Sequence, residues 1–225
     1  MNAALLLLAD SRFPTGAHAH SAGVEASHGR GDLRSVADLR AFVDGRLATV
    51  APTDAAFTAA SCLLPAERAV LDAELAARTP SPRLRRLSRS LGRQLLRPAE
   101  RAWPSVHYAG LRTMHTEGPM QPIALGVVAA AAGLSPDEAA LCSLHHLVDA
   151  VTTAAVRLLG LDPFEVHALA ASLSPRLESL AAEAALAAAE FAETGDPASL
   201  PSTTSLLADV LAEHHATWEV RLFAS

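Results

Sequence analysis

The chain has 225 residues, half of them hydrophobic and only 4% aromatic, and a formal net charge of −6. That charge excludes a global basic field of the kind that gathers nucleic acid. All 18 basic residues are arginine, so a Gly-Lys-Ser/Thr phosphate loop and a Schiff-base lysine are excluded as well.

A chain of this length can enclose one substantial core. With so few aromatics the core must be built from Ala, Leu and Val, which suits closely packed helices. Strand-favouring residues are sparse, and no run alternates apolar and polar residues. The predicted architecture is all-α: residues 1–225 as one domain, a bundle of roughly ten helices.

In chain order, helices are predicted near 2–9, 18–28, 35–50, 53–63, 66–78, 83–97 and 105–115. Between the first two, Pro14 fixes its own φ and pushes Phe13 towards an extended conformation, while Gly16 permits a turn. The helix at 83–97 sets Leu84, Leu87, Leu91 and Leu95 on one face, with Arg85, Arg89, Arg93, Arg97 and Arg101 every four residues beside it and Arg86 joining them. This reads as an amphipathic helix with a solvated basic face, or as a surface for an acidic partner.

The second half is punctuated more sharply. Ser135-Pro136-Asp137-Glu138 and Asp162-Pro163-Phe164-Glu165 carry N-cap, Pro and acidic signals, Ser174-Pro175 opens another helix, and Gly133, Gly160 and Gly195 sit where helices should stop. Helices follow near 122–132, 136–159, 163–172, 175–194 and 203–218. The Pro-containing breaks at 80–82, 98–104 and 118–122 are too short to be interdomain linkers.

Cys62 and Cys142 lie in apolar, helix-like sequence without Cys-x-x-Cys spacing, as buried thiols in a reducing compartment would. The apolar run Ala3–Ala9 is too short for a signal peptide. Ile123–Leu134, the longest uncharged apolar stretch, falls short of the ~20 residues that span a bilayer. A cytoplasmic protein with no membrane association is expected.

Ten histidines include His18-x-His20, His145-His146 and His214-His215. No two are spaced i,i+3 or i,i+4, and adjacent helical residues diverge by about 100°, so neighbouring rings would seldom grip one ion. A His-rich metallohydrolase would draw on His18, His20 and Asp149; a helical ligand-binding regulator would need only an apolar pocket. No Gly-x-Ser-x-Gly elbow is present, and no second acid converges on Asp149. Neither a catalytic residue nor a metal ligand is expected.

The segment Leu5–Glu25 places Ser11, Pro14, Gly16, Ser21, Gly23 and Glu25 after an apolar run, and the last five residues are Arg221-Leu222-Phe223-Ala224-Ser225. Both resemble signatures of the urease accessory protein family UreF. Arg86, Ser88, Gly92, Leu95 and Leu96 are similar to that family's central helix, and Pro122 and Gly126 match its Pro-x-x-x-Gly. The chain departs from the pattern at Ala17, Ala22, Ala216 and Leu158–Asp162.

The resemblance implies a dimeric all-α protein without enzymatic chemistry. It would bridge UreD (also called UreH) and the GTPase UreG, which together bring nickel to apo-urease. Nickel and GTP would be handled by the complex, with no cofactor bound by this chain. It assigns partner contacts to Phe13, Pro14, Gly16, Ser21, Gly23 and Glu25 in the first motif, and to His215, Thr217, Arg221, Leu222, Phe223 and Ser225 in the last. It favours docking for the Leu222–Phe223 pair over folding back onto the body.

Overall fold

The computed structural model describes residues 2–10, 12–13, 20–218 and 222–223. Among them run twelve α-helices and no strand: α1 (Ala3–Ala9), α2 (Val24–Arg30), α3 (Val36–Ala48), α4 (Val50–Leu63), α5 (Arg68–Ala77), α6 (Pro82–Ala102), α7 (Leu111–Met114), α8 (Gln121–Ala131), α9 (Pro136–Leu159), α10 (Pro163–Ser172), α11 (Ser174–Thr194) and α12 (Leu206–His215). The all-helical expectation is met.

Helix α4 runs through the middle, packed by α8, α9 and α11. Its side chains are small on nearly every face: Ala55, Ala56, Ala59 and Ala60 are fully buried, with Phe57 as the one large filler. Small residues let the axes approach. At the α4–α8 crossing a Cβ on Gly126 would lie 2.3 Å from the Thr58 carbonyl oxygen and 2.7 Å from Ser61 Cβ, and the Ser61 hydroxyl donates to the Ile123 carbonyl at 2.8 Å. Apolar contacts form a main core that draws on α3, α4, α9, α10 and α11, and a second cluster around α1, α6 and α8.

Helix α9, at 24 residues, is long and apolar enough to cross a membrane by composition alone. It packs instead against α4 and α11, with over half of its most apolar stretch buried inside the protein, as a core helix does.

The capping signals are realised. Ser135 and Glu138 form a reciprocal capping box, the Asp162 carboxylate accepts the Phe164 N–H, and Gly133, Gly160 and Gly195 take left-handed conformations at helix ends. Ser174 differs: it is the first helical residue, and its hydroxyl donates back to the Ala171 carbonyl.

Three expected helices are corrected. That at 18–28 begins only at Val24, because Ala22 and Gly23 have positive φ. That at 105–115 splits into a 3-10 turn at Val106–Tyr108 and the single turn α7, with left-handed Gly110 between them. That at 83–97 continues through Pro98 to Ala102. Buried Leu95, Leu96 and Ala99 on both sides of the proline hold that last turn in place.

The basic face of α6 is only partly solvated. A step of four residues advances about 400° around a helix with 3.6 residues per turn, so each arginine of the series is rotated by about 40° from the last. The row therefore starts inside and ends outside. Arg85 donates to the carbonyls of Thr79 and Pro80. Arg89 is buried, 2.9 Å from the Asp72 carboxylate and donating to the Gly118 carbonyl. Arg93, Arg97 and Arg101 are exposed.

Candidate functional site

The tail of the chain meets the start of α2 at Glu25. This residue opens the first turn of α2 and is 7% exposed. Its carboxylate accepts three hydrogen bonds: from His215 Nε2 on α12 at 2.9 Å, from the Leu222 N–H at 2.7 Å and from the Phe223 N–H at 3.1 Å. The donors lie 190 to 198 residues away in sequence. A carboxylate with several donors is a strong, directional anchor, and here it holds the tail on the body. The 2.9 Å contact places the hydrogen of His215 on Nε2.

Local sequence explains why Glu25 stands there. The Ser21 carbonyl and hydroxyl accept the N–H groups of Val24 and Glu25, so the helix starts at a fixed point. Gly23 caps it at φ 91°, a value that strains any residue with a side chain. The preceding carbonyl, of Ala22, accepts Arg46 Nη2 from α3 at 2.5 Å.

The tail is held by packing as well. Trp218 crosses α2 at Gly29, where a Cβ would lie 2.4 Å from the indole ring, and its ring meets that of His215 edge-on at 4.8 Å. Phe223, 7% exposed, joins the main core with the Arg157 guanidinium 5.1 Å above its ring. Leu222 points the other way, at 75% exposure. Adjacent residues of one short tail thus divide the two roles weighed for the pair: Phe223 folds back and Leu222 faces out.

Ser21, Gly23, Glu25, His215, Leu222 and Phe223 therefore form one site, with Thr217 exposed beside it. Phe13 lies apart, its ring 5.5 Å from that of Trp103 in the second cluster. Pro14, Gly16, Arg221 and Ser225 lie outside the described residues. Arg46, Gly29 and Trp218 were not anticipated from the sequence. A glycine just past a predicted helix, with a tryptophan between the motif residues Thr217 and Arg221, was the available signal for the last two.

The groups that a metallohydrolase would use are placed otherwise. His18 is outside the described residues. His20 is held down to about 4, mainly by burial. Asp149 sits half-buried on α9. His146 Nε2 faces the Leu8 carbonyl at 2.9 Å and its pKa is lowered by burial. Among the described residues no three His, Cys, Asp or Glu side chains converge as a metal site would require. Burial also lifts the thiols of Cys62 and Cys142, to about 11 and about 12, so neither is a nucleophile near neutral pH.

Beside the junction, α3, α6 and α12 enclose a cavity of about 410 Å³ lined by Phe42, Leu84, Leu87, Leu207 and Leu211. A second, of about 240 Å³, lies between α6 and the α4 and α9 helices. Asp54 lines the second, and desolvation lifts its carboxyl to about 7 against the opposing pull of Arg46. Since its folded pKa lies above the ordinary value, the stability it contributes is full at low pH and is lost as pH rises towards 7. Asp54→Asn cannot ionise. Its melting temperature relative to the native chain is therefore expected to rise between about pH 5 and about pH 8; a pH-independent difference would contradict the assignment.

The family model for UreF matches residues 33–174, and the chain belongs to the UreF family. It is 42% identical over 226 residues to the urease accessory protein UreF of Mycolicibacterium vanbaalenii, covering 99% of this chain and 98% of that one. It is 40% identical over 221 residues to the UreF of Mycobacterium sp. strain JLS, covering 98% and 97%. To that of Mycobacterium tuberculosis H37Rv it is 40% identical over 227 residues, covering 99% and 98%.

Proposed function

We propose that this chain is a non-enzymatic accessory factor for the maturation of urease. It acts as a cytoplasmic homodimer that joins UreD/UreH to the GTPase UreG while nickel is inserted into apo-urease. In this reading nickel and GTP stay with the assembly, and the chain contributes surfaces.

The observation that carries the reading is the Glu25 junction. Ser21, Gly23 and Glu25 of the first signature meet His215, Leu222 and Phe223 of the last, and the acceptor is spent on the chain's own tail. A large apolar residue left exposed at its edge, Leu222, is what an interface core requires.

Co-purification with UreD and UreG tests the proposal, followed by urease activation in a host lacking this chain. Leu222→Asp leaves Phe223 and the junction in place and is expected to lower retention of UreD by ~10-fold or more, as loss of an apolar anchor does, with the melting temperature unchanged. A well-folded native chain that binds neither protein would overturn the proposal.

A further inference from the structure

Charge on this molecule is segregated. Helix α6 carries seven arginines and one glutamate, a net +6 in 21 residues. The whole chain is −6, so everything outside α6 sums to −12. Part of that acid lies on α11, where Glu178, Glu183, Glu190 and Glu193 are exposed. The two helices pack on different neighbours, α11 on α4 and α9, α6 on α8 and α12.

The inner arginines of α6 serve the fold, as Arg85 and Arg89 do. The outer ones stand on a crest: Arg86, Arg93, Arg97 and Arg101 are all exposed. From Arg86 to Arg101 the crest spans about 22 Å at 1.5 Å per residue. On one flank, Leu84 and Leu87 turn into the 410 Å³ cavity shared with Leu207 and Leu211 of α12. On α12, which forms the cavity's lip, Leu207 lines it at 55% exposure, and Leu206 and Val210 of the same helix are 74% and 63% exposed. Concentrated self-repelling charge costs stability, here offset at one end by Glu213 of α12 beside Arg83 and Arg86, and exposed leucines beside it add no folding energy. Arginines next to an apolar core are the composition of a protein interface.

We propose that the α6 crest and the α12 lip form a docking surface for an acidic segment of a protein partner. Its carboxylates would pair with Arg86, Arg97 and Arg101, and an apolar side chain would enter the cavity between Leu87 and Leu211. A protein suits this surface better than nucleic acid, because the −12 borne by the rest of the chain repels an extended polyanion and the cavity asks for an apolar group. Guanidinium groups match carboxylates in bidentate geometry. The proposal deepens the reading of the chain as a partner-binding surface and rests on it.

The test compares the full-length native chain with Arg86→Gln/Arg97→Gln/Arg101→Gln and with a charge-matched control, Arg30→Gln/Arg34→Gln/Arg40→Gln, each checked for fold by circular dichroism. A short fluorescent peptide of alternating Glu and Leu blocks is titrated by anisotropy, in parallel with duplex DNA and with phosphatidylglycerol vesicles. The crest variant is expected to bind the peptide ~10-fold more weakly while the control does not. Binding should also fall steeply between about 50 mM and about 500 mM salt. No peptide binding, an equal loss in the control, or preferential binding of DNA or vesicles overturns the proposal. In a second arm UreD and UreG are captured by each form. If the native chain captures them and the crest variant captures them equally, the docking surface fails and the accessory role stands. If the native chain captures neither, the accessory role fails and the peptide titration alone decides.

Discussion

Glu25→Ala is expected to release the tail. The substitution leaves His215 Nε2 and the N–H groups of Leu222 and Phe223 facing a buried, empty acceptor site, and each unsatisfied buried group costs about 1–3 kcal/mol. The chain avoids that sum by letting Leu222 and Phe223 leave the surface, since a short segment opens locally before the body unfolds. Hydrogen exchange should lose protection at Leu222 and Phe223 while the amides of α4 and α8 keep theirs. Glu25→Gln should fall between, because one oxygen remains to accept while the new NH2 opposes a donor. Binding of UreD would weaken in the same order. A tail still protected in Glu25→Ala would show that Phe223 and Trp218 packing suffices alone.

The second large effect is in the body. In Gly126→Ala the new methyl would sit 2.3 Å from a carbonyl oxygen, 2.7 Å from Ser61 Cβ and 2.9 Å from the Cys62 nitrogen. All three belong to α4, the helix on which α8, α9 and α11 pack. No flexible side chain can swing away, so the axes must separate along the crossing. Overpacking of this kind costs ~3 kcal/mol or more. For a chain of this size that lowers the melting temperature by about 10 °C. Differential scanning calorimetry measures it, and a shift of a degree or two would mean that the α4–α8 crossing is looser than described.

Much of the fold was legible because it is written in local chemistry. Caps at Ser135 and Asp162 and the glycines at 133, 160 and 195 mark helix ends through hydrogen bonds made within a few residues. The misjudged elements depend on distant groups. Pro98 stays helical because its neighbours are buried, and the arginine row of α6 passes from inside to outside because of a rotation that accumulates over 16 residues. The same contrast holds at the site. Ser21, Gly23, Glu25 and the last motif were identified by resemblance, but neither motif says that one carboxylate would bind the other's backbone. Gly29 carries no local mark of the Trp218 ring that packs on it, since that ring comes from the far end of the sequence. Asp72 carried no local signal at all, since its partners are Arg89 on another helix and the N–H of Met120.

The junction also closes a loop of nearly 200 residues, between a carboxylate and donors at the other end of the chain. Contacts of such long range repay their closure entropy only after the intervening helices have condensed. The latch is thus among the last features to form as the chain emerges and folds. A partner that reads both ends at once would pass over half-made copies and select molecules whose construction is finished.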